Sequence, residues 1–250
     1  MSVQQDPREV ADHLIVTIAD RLADGFRVVT GLNSHVPLLA IAVAKVVHGK
    51  RVSLYTVAEA YDPDLERVKL RPSTGDPALA EDATVIPMVE TFDLVQKGLI
   101  DVMFLGPVQI DAETNINLSV IGSYRRPKVR LPGGAASAFI VPLVKRVYFW
   151  RTRHTTRDLV KRVDFVTATA RHSTNEVYLF TNLCVLKYNR ERSIWELEAR
   201  HPWADRELVA SNTGFELLFQ DDRVTRPPSR EEKELIRALD PNDLRVKAFL

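Results

Sequence analysis

A single carboxylate stands where a strand gives way to a loop. In "RVSLYTVAEAYDPD", Arg51 to Asp64, β-favouring residues run through Val52, Leu54 and Tyr55 and stop near Glu59, ahead of Asp62-Pro63. A glutamate at a strand end has three uses. It can attack an acyl group and hold it covalently, it can move a proton, or it can end the strand with a polar group. A second candidate is "RLPGGAAS", Arg130 to Ser137, in which Gly133 and Gly134 precede a helix. Glycines there leave backbone N–H groups open to an oxyanion or a phosphate. They also let a helix lie close against a sheet, the commoner reason for a lone pair. A third is "LGPVQIDAETNINLS", which sets Gln109, Asn115 and Asn117 about a strand end. Buried amides need partners, so these either hold a loop in shape or face a substrate, and the loop role is favoured.

Other chemistry finds little support. The six histidines, His13, His35, His48, His154, His172 and His201, are scattered, and no pair has metal-ligand spacing, so no metal is expected. There is no GxSxG elbow, no Walker loop and no GxGxxG after a strand. Cys184 is the only cysteine, so no intrachain disulfide can form. Its apolar setting, "LCVLKY", suits a buried structural thiol, and a reducing cytoplasm fits the count. A net charge of +1 gives no reason to expect nucleic acid or an anionic membrane as partner. Basic residues do gather in "SYRRPKVR" and "WRTRHTTRDLVKR". Each reads as a solvated face or as an anion site for a phosphate-bearing ligand or acidic partner. The segment "MSVQQDPREVADHL" has no apolar signal region, and no run approaches the ~20 apolar residues of a spanning helix.

The elements that must position these groups alternate. Asp6-Pro7 opens a helix carrying Val10, Leu14, Ile18 and Leu22 and closed by Gly25. "FRVVTGL" reads as a buried strand, "VPLLAIAVAKVVHGK" as an apolar helix and "RVSLYTVAE" as the next strand. Ala60 to Thr91 holds four prolines and reads as a working loop. "TFDLVQKGLI" follows as a helix, then "DVMFLGPVQID" and "INLSVIGS" as strands, and a helix after "LPGGAAS" through Val144. "KRVYFWR" and "VDFVTATA" are strands, and "EVYLFTNLCVLKYN" and "SIWELEARHP" suit a hairpin pair. "ADRELVASNTGF" and "SREEKELIRALDP" are helices, the second with Ser229 and Glu232 at capping-box positions. The pattern predicts an α/β fold: an open, largely parallel sheet flanked by helices, with mixed or antiparallel strands added late. One domain spanning residues 1–250 is expected. The apolar stretch Val36–Val47 suggests more apolar surface than one chain needs.

Together these segments resemble the B (β) subunit of class I coenzyme A transferases of the glutaconate CoA-transferase kind, over nearly the whole chain. "VVTGLNSHVPLLAIAVAK" resembles the family's N-terminal glycine–proline–helix segment, and "RPKVRLPGGAAS" its Leu-Pro-Gly-Ser-Gly-Gly loop. "GLIDVMFLGPVQIDAETNINLSVIG" resembles a strand followed by a Gln-x-Asp motif and a Gly-Asn-x-Asn pair. "VDFVTATA", "ARHPWADRELVASNTGFEL" and "IRALDP" resemble its C-terminal third. The resemblance implies an acyl-CoA thioester as substrate and no bound cofactor. It implies a homologous A (α) subunit, in a heterodimer or heterotetramer. It also implies substrate- or CoA-binding roles for Asn33, Gln109, Asn115, Asn117, Gly133, Gly134 and Ala135.

In transferases of this family a glutamate at the end of the second strand attacks the acyl-CoA and passes through a glutamyl-CoA thioester. The family reads apolar-apolar-Val-Glu-Ser-Gly there. "SLYTVAEA", aligned without a gap, puts Val57 at the nucleophile position and Glu59 where the family has glycine; a two-residue slip restores Glu59. Thr114 stands where the family has the glycine of Gly-Asn-x-Asn, and the glycine loop is one residue short. Branches without the glutamate resemble the two-subunit decarboxylase of 3-methylglutaconyl-CoA and the two-subunit hydrolase of a steroid-ring CoA thioester. "ARHPWA" and "DPD" lean to the first and "TVAEA" to the second. The expectation is one chain of a heteromeric enzyme that works on a CoA thioester by transfer, decarboxylation or hydrolysis. The alternatives are a non-catalytic structural chain paired with a catalytic A subunit, and a small-molecule sensor that kept the fold. If the Gly133 and Gly134 amides serve the thioester oxygen, Gly134→Val is expected to abolish activity with the fold intact.

Overall fold

The computed structural model describes residues 5–67, 69–221 and 223–247; residues 1–4 of the N-terminal segment lie outside them. The chain packs as two compact units, Met1–Phe104 with Arg226–Leu250, and Leu105–Thr225.

The first unit opens with α1, Pro7–Arg21. The Asp6 carboxylate accepts the Arg8 N–H at 2.9 Å, and Pro7 at the first helical position has no N–H left unpaired. β1, Arg27–Thr30, leads to α2, His35–Ala42, which continues through the π-turn Val43–Val47 to β2, Ser53–Thr56. Every residue from Val36 to Ala44 is buried within the chain, with α2 packed on α1. An all-apolar helix is what a position enclosed within its own unit requires, and only the end of the stretch, Lys45–Val47, stays partly exposed. β3, Ala60–Tyr61, and β4, Thr84–Val85, extend the sheet antiparallel, and the proline-bearing stretch between them holds the 3-10 turn Pro77–Ala80. α3, Met88–Gln96, precedes β5, Val102–Leu105. β5, β1 and β2 are parallel neighbours in that order, as two crossover helices dictate.

In the second unit β6, Gln109–Asp111, and β7, Asn115–Asn117, form a tight antiparallel pair. "DVMFLGPVQID" is thus two strands, broken at Gly106-Pro107, where proline cannot join a ladder. β8, Val120–Ser123, and β9, Arg126–Arg130, make a hairpin. α4, Ser137–Ile140, and β10, Arg146–Trp150, follow. β11, Leu159–Val160, pairs with β6, and β12, Ala168–Thr169, with β7. "VDFVTATA" keeps only β12 as strand, because Val163 and Asp164 donate their N–H groups to the side chains of Asp111 and Gln109. β13, Glu176–Phe180, β14, Cys184–Asn189, and β15, Ile194–Arg200, are successive antiparallel neighbours. "EVYLFTNLCVLKYN" is thus itself a hairpin, and its second strand pairs with "SIWELEARHP". α5, Arg206–Ser211, and β16, Leu217–Phe219, complete the unit, with β10 parallel to β13 and β16 parallel to β15. The class is α/β, with mixed, largely parallel sheet and flanking helices. Among the described residues no helix is long and apolar enough to cross a membrane.

The last segment returns to the first unit as α6, Arg230–Leu239, and α7, Leu244–Lys247. The Ser229–Glu232 capping box is present. Arg245, 1% exposed, donates to Asp12 at 2.7 Å and to Asp240 at 2.9 Å, so the tail is locked onto α1 by a buried, fully paired charge. Glu232 does the same for α6. It accepts from Arg226 at 2.6 Å and lies 2.7 Å from His48 Nε2. Burial opposes its ionisation, but the bonds from Arg226, His48 and the Ser229 amide outweigh that and lower its pKa from 4.5 to about 2. A lowered carboxylate pKa stabilises the fold fully above 4.5, and that stabilisation is lost as the pH falls toward 2. Removing Glu232 as Glu232→Gln should therefore cost stability at pH 7, on the order of 3 kcal/mol, and flatten the loss of stability between pH 4.5 and 2. Urea melts at a series of pH values read both; an unchanged acid limb would show the cluster to be idle.

Candidate functional site

β2 ends at Thr56, and the chain turns through Val57, Ala58 and Glu59 into β3. Val57, at the position expected for a nucleophile, is half-buried. Glu59 sits past the strand end with φ +58°, is exposed, and its backbone closes the turn with N–H to Thr56 O at 3.1 Å. Its carboxylate Oε1 accepts the N–H of Met88 at 2.8 Å, and its carbonyl accepts the N–H of Ile86 at 2.8 Å. One residue thus ties the β2–β3 turn to the first N–H of α3, which has no partner of its own inside the helix. The carboxylate also lies where the helix dipole favours a negative charge.

Above the ends of β1 and β2 the loop Arg71–Gly75 is pinned. Thr74 Oγ1 donates to Gly31 O at 2.9 Å and accepts from Ser34 N at 3.1 Å, and His35 Nε2 is 2.9 Å from Arg71 O. A Cβ on Gly75 would meet Leu32 Cδ2 at 2.5 Å and Val57 Cγ2 at 3.5 Å, so this loop lies close over both, and a side chain here would displace the exposed Leu32. Asn33, φ +53°, is exposed in the turn before α2, a conformation asparagine tolerates.

In the second unit Gln109 and Asn117 bond to each other, and Asn115 bonds to Asp111. Asn117, fully buried, donates to Gln109 Oε1 at 2.8 Å and to Val120 O at 2.6 Å, and accepts from Ser119 N at 3.0 Å. Asn115 donates to Asp111 Oδ2 at 3.1 Å. Asp111, 1% exposed, also accepts from the N–H groups of Glu113, Asn115 and Val163, and is the hub of the loop. Thr114 has φ +65°, which explains why glycine suits that place, and its buried hydroxyl has no partner among the described residues.

The glycine loop adjoins these bonds. Gly133, φ +99°, gives its N–H to Leu118 O at 2.7 Å, so that donor is committed. The N–H groups of Gly134 and of Ala135, φ +44°, have no acceptor among the described residues. A Cβ on Gly134 would fall 2.4 Å from Thr167 Cγ2 and 3.0 Å from Ser137 Oγ. Gly134→Val therefore disturbs packing and does not test the amide alone, contrary to expectation. The arrangement offers two adjacent backbone donors, fixed from below by Thr167, to an oxyanion.

The coenzyme A transferase family pattern matches residues 11–212. The chain belongs to the coenzyme A transferase family. It is 34% identical over 183 residues to the B subunit of the 3-oxoadipate CoA-transferase of Pseudomonas knackmussii, covering 67% of this chain and 70% of that one. It is 32% identical over 184 residues to the cholesterol ring-cleaving hydrolase IpdB subunit of Rhodococcus jostii, covering 68% and 72%. The crystal structure of the decarboxylase AibA/AibB superposes with a TM-score of 0.86 at 30% identity, covering 94% of this chain and 96% of that one.

Of the residues that the family resemblance singles out, Asn33, Val57 and Glu59 lie in the first unit, and Gln109, Asn115, Asn117, Gly133, Gly134 and Ala135 in the second. Sequence reasoning missed Thr167 and Asp111 as braces; the Gln-x-Asp spacing of Gln109 and Asp111 was the available signal for the second. Cys184 is fully buried, and burial pushes its thiol up to about 12. His154 is buried between Thr181 and Thr213 at 2.8 Å each, and burial lowers it to about 4. Asp20, His48 and Glu232, distant in sequence, have ligand atoms within 4.8 Å of one another. Arg226 donates to Asp20 and Glu232 at 2.6 Å each, so this group is a closed ion-pair cluster.

Gly134→Ala should destabilise the protein by about 1–3 kcal/mol through contact with Thr167. Thr167→Ser keeps the hydroxyl that accepts from Leu118 N at 2.9 Å and removes the offending methyl, so it should restore the loss. Thermal melts of the single and double variants measure the coupling; additive effects would refute the contact.

Proposed function

We propose that this chain is the B subunit of a two-subunit enzyme that acts on an acyl-CoA thioester without an enzyme-bound glutamyl thioester, by decarboxylation. A homologous A subunit is its partner, coenzyme A enters as part of the substrate, and a reducing cytoplasm suits the single cysteine. The observation that carries the reading is the 2.8 Å bond from the Met88 amide to the Glu59 carboxylate, past a strand that ends at Thr56. A carboxylate held by a helix-terminal amide is a poor nucleophile, since its charge is already solvated by the protein.

Decarboxylation needs no nucleophile. The bond to the departing carboxylate breaks, CO2 leaves, and the electron pair moves through the acyl chain onto the thioester oxygen. Donors aimed at that oxygen stabilise the enolate, and a proton then returns to carbon. The free N–H groups of Gly134 and Ala135 are the donors assigned here. Loss of one such donor typically costs about 10²–10³ in rate. The AibA/AibB likeness supports this reading over transfer, although two-subunit transferases are also among the family's members.

Borohydride added during turnover by the assembled heteromer should trap no reduced glutamyl residue, and CO2 should accompany loss of the substrate, with the thioester bond kept in the product. Glu59→Gln keeps an oxygen for the Met88 amide and should hold turnover within about twofold, while Glu59→Ala should cost about 1 kcal/mol of stability. Trapping at Glu59, or abolished turnover in Glu59→Gln with folding preserved, would overturn the assignment.

A further inference from the structure

The β8–β9 hairpin is the most basic exposed element of the second unit. Arg125, Arg126, Lys128 and Arg130 are all exposed, and none has an ion-pair partner among the described residues. In a chain of net charge +1 that is an unusual local excess. The cations of an ordinary solvated face tend to alternate with carboxylates. Here Asp164, a carboxylate bonded to the hairpin, accepts the Gly122 N–H at 2.7 Å.

The hairpin is also held in shape. Tyr124 stacks on Phe165 with ring centroids 4.9 Å apart, and the Arg130 guanidinium lies 5.1 Å from the Tyr124 centroid. The ring is covered on both counts, so it fixes a cation and does not offer a free face for a base. A bulge between Ile121 and Gly122 leaves Lys128 facing the left-handed Gly122, whose absent Cβ would meet Lys128 Cγ at 3.3 Å. An ordered, unpaired guanidinium with neighbouring cations is what a phosphate requires.

Its place in the fold gives the ligand. Beyond Val120↔Arg130 the ladder continues through Leu131 N to Ser119 O at 3.0 Å and Gly133 N to Leu118 O at 2.7 Å, straight into the loop that carries the Gly134 and Ala135 amides. At about 3.3 Å per residue the basic strand runs roughly 13 Å away from that loop. A CoA thioester has the same layout: an acyl oxygen at one end, a long uncharged pantetheine arm, and phosphates at the other.

We propose that Arg125, Lys128 and Arg130 bind the phosphates of the coenzyme A nucleotide. The inference rests on the thioester site proposed above and names where the far end of that substrate lies. Isothermal titration of the assembled heteromer with coenzyme A and with 3′-dephospho-coenzyme A tests it. Lys128→Ala and Arg130→Ala should each weaken coenzyme A binding roughly tenfold, as lost charge-assisted bonds do. At least one of them should weaken 3′-dephospho-coenzyme A less, marking the cation on the 3′-phosphate. Arg192→Ala, an exposed cation elsewhere, should change nothing. Unaltered coenzyme A affinity in both hairpin variants overturns this inference and leaves the proposed function standing. Failure of the unaltered heteromer to bind coenzyme A overturns both. Loss of the heteromer on size exclusion in the variants assigns the hairpin to the contact between the two chains and also overturns the inference.

Discussion

One hydrogen bond organises the first unit's candidate chemistry: Glu59 Oε1 accepting the Met88 N–H. It joins two things that the chain must achieve at once. The turn after β2 has to reverse within three residues, which forces a left-handed backbone at Glu59. The helix that begins at Met88 has to find an acceptor for its first N–H, since no residue of the helix can supply one. A glutamate satisfies both through one side chain. The same geometry commits one oxygen of the carboxylate to the Met88 amide. The departures seen in the sequence, Val57 at the strand end and Glu59 beyond it, have this physical counterpart.

The second unit follows a different logic. Its candidate donors are backbone amides, and a backbone donor is only as good as the packing beneath it. Asp111 and Asn117 are almost completely buried, and their bonds fix the loops from which the glycine turn springs. Thr167 closes the arrangement from below, with its hydroxyl on Leu118 N and its methyl against Gly134. Gln109, Asn115 and Asn117 bond within their own loops. Backbone donors of this kind can polarise a thioester without contributing a nucleophile.

Much of this was legible in the sequence where the cause is local. Asp6-Pro7 and the Ser229–Glu232 box begin helices because side chains a few residues away complete their first turns. Buried strands such as "FRVVTGL" and "KRVYFWR" stand out by apolar runs. The family itself was legible from the order of motifs. What was not legible has long-range causes. The acceptance of the Met88 amide by Glu59 spans 29 residues. The break-up of "VDFVTATA" depends on Asp111 and Gln109, more than fifty residues earlier in the chain. The β8–β9 pairing is obscured by Pro127 and by the bulge beside it, which interrupt alternation. The apolar stretch from Val36 is ambiguous because enclosure inside one unit and contact with a partner leave the same pattern in a sequence.

In the proposed reaction the thioester meets backbone donors and not the Glu59 carboxylate. A structure of the assembled heteromer holding a non-reactive acyl-CoA analogue, such as a dethia ketone, tests it most directly. The account predicts the analogue's carbonyl oxygen about 3 Å from the N–H groups of Gly134 and Ala135, with Glu59 still on the Met88 amide. A Glu59 carboxylate released from Met88 and in line with the carbonyl carbon would contradict it.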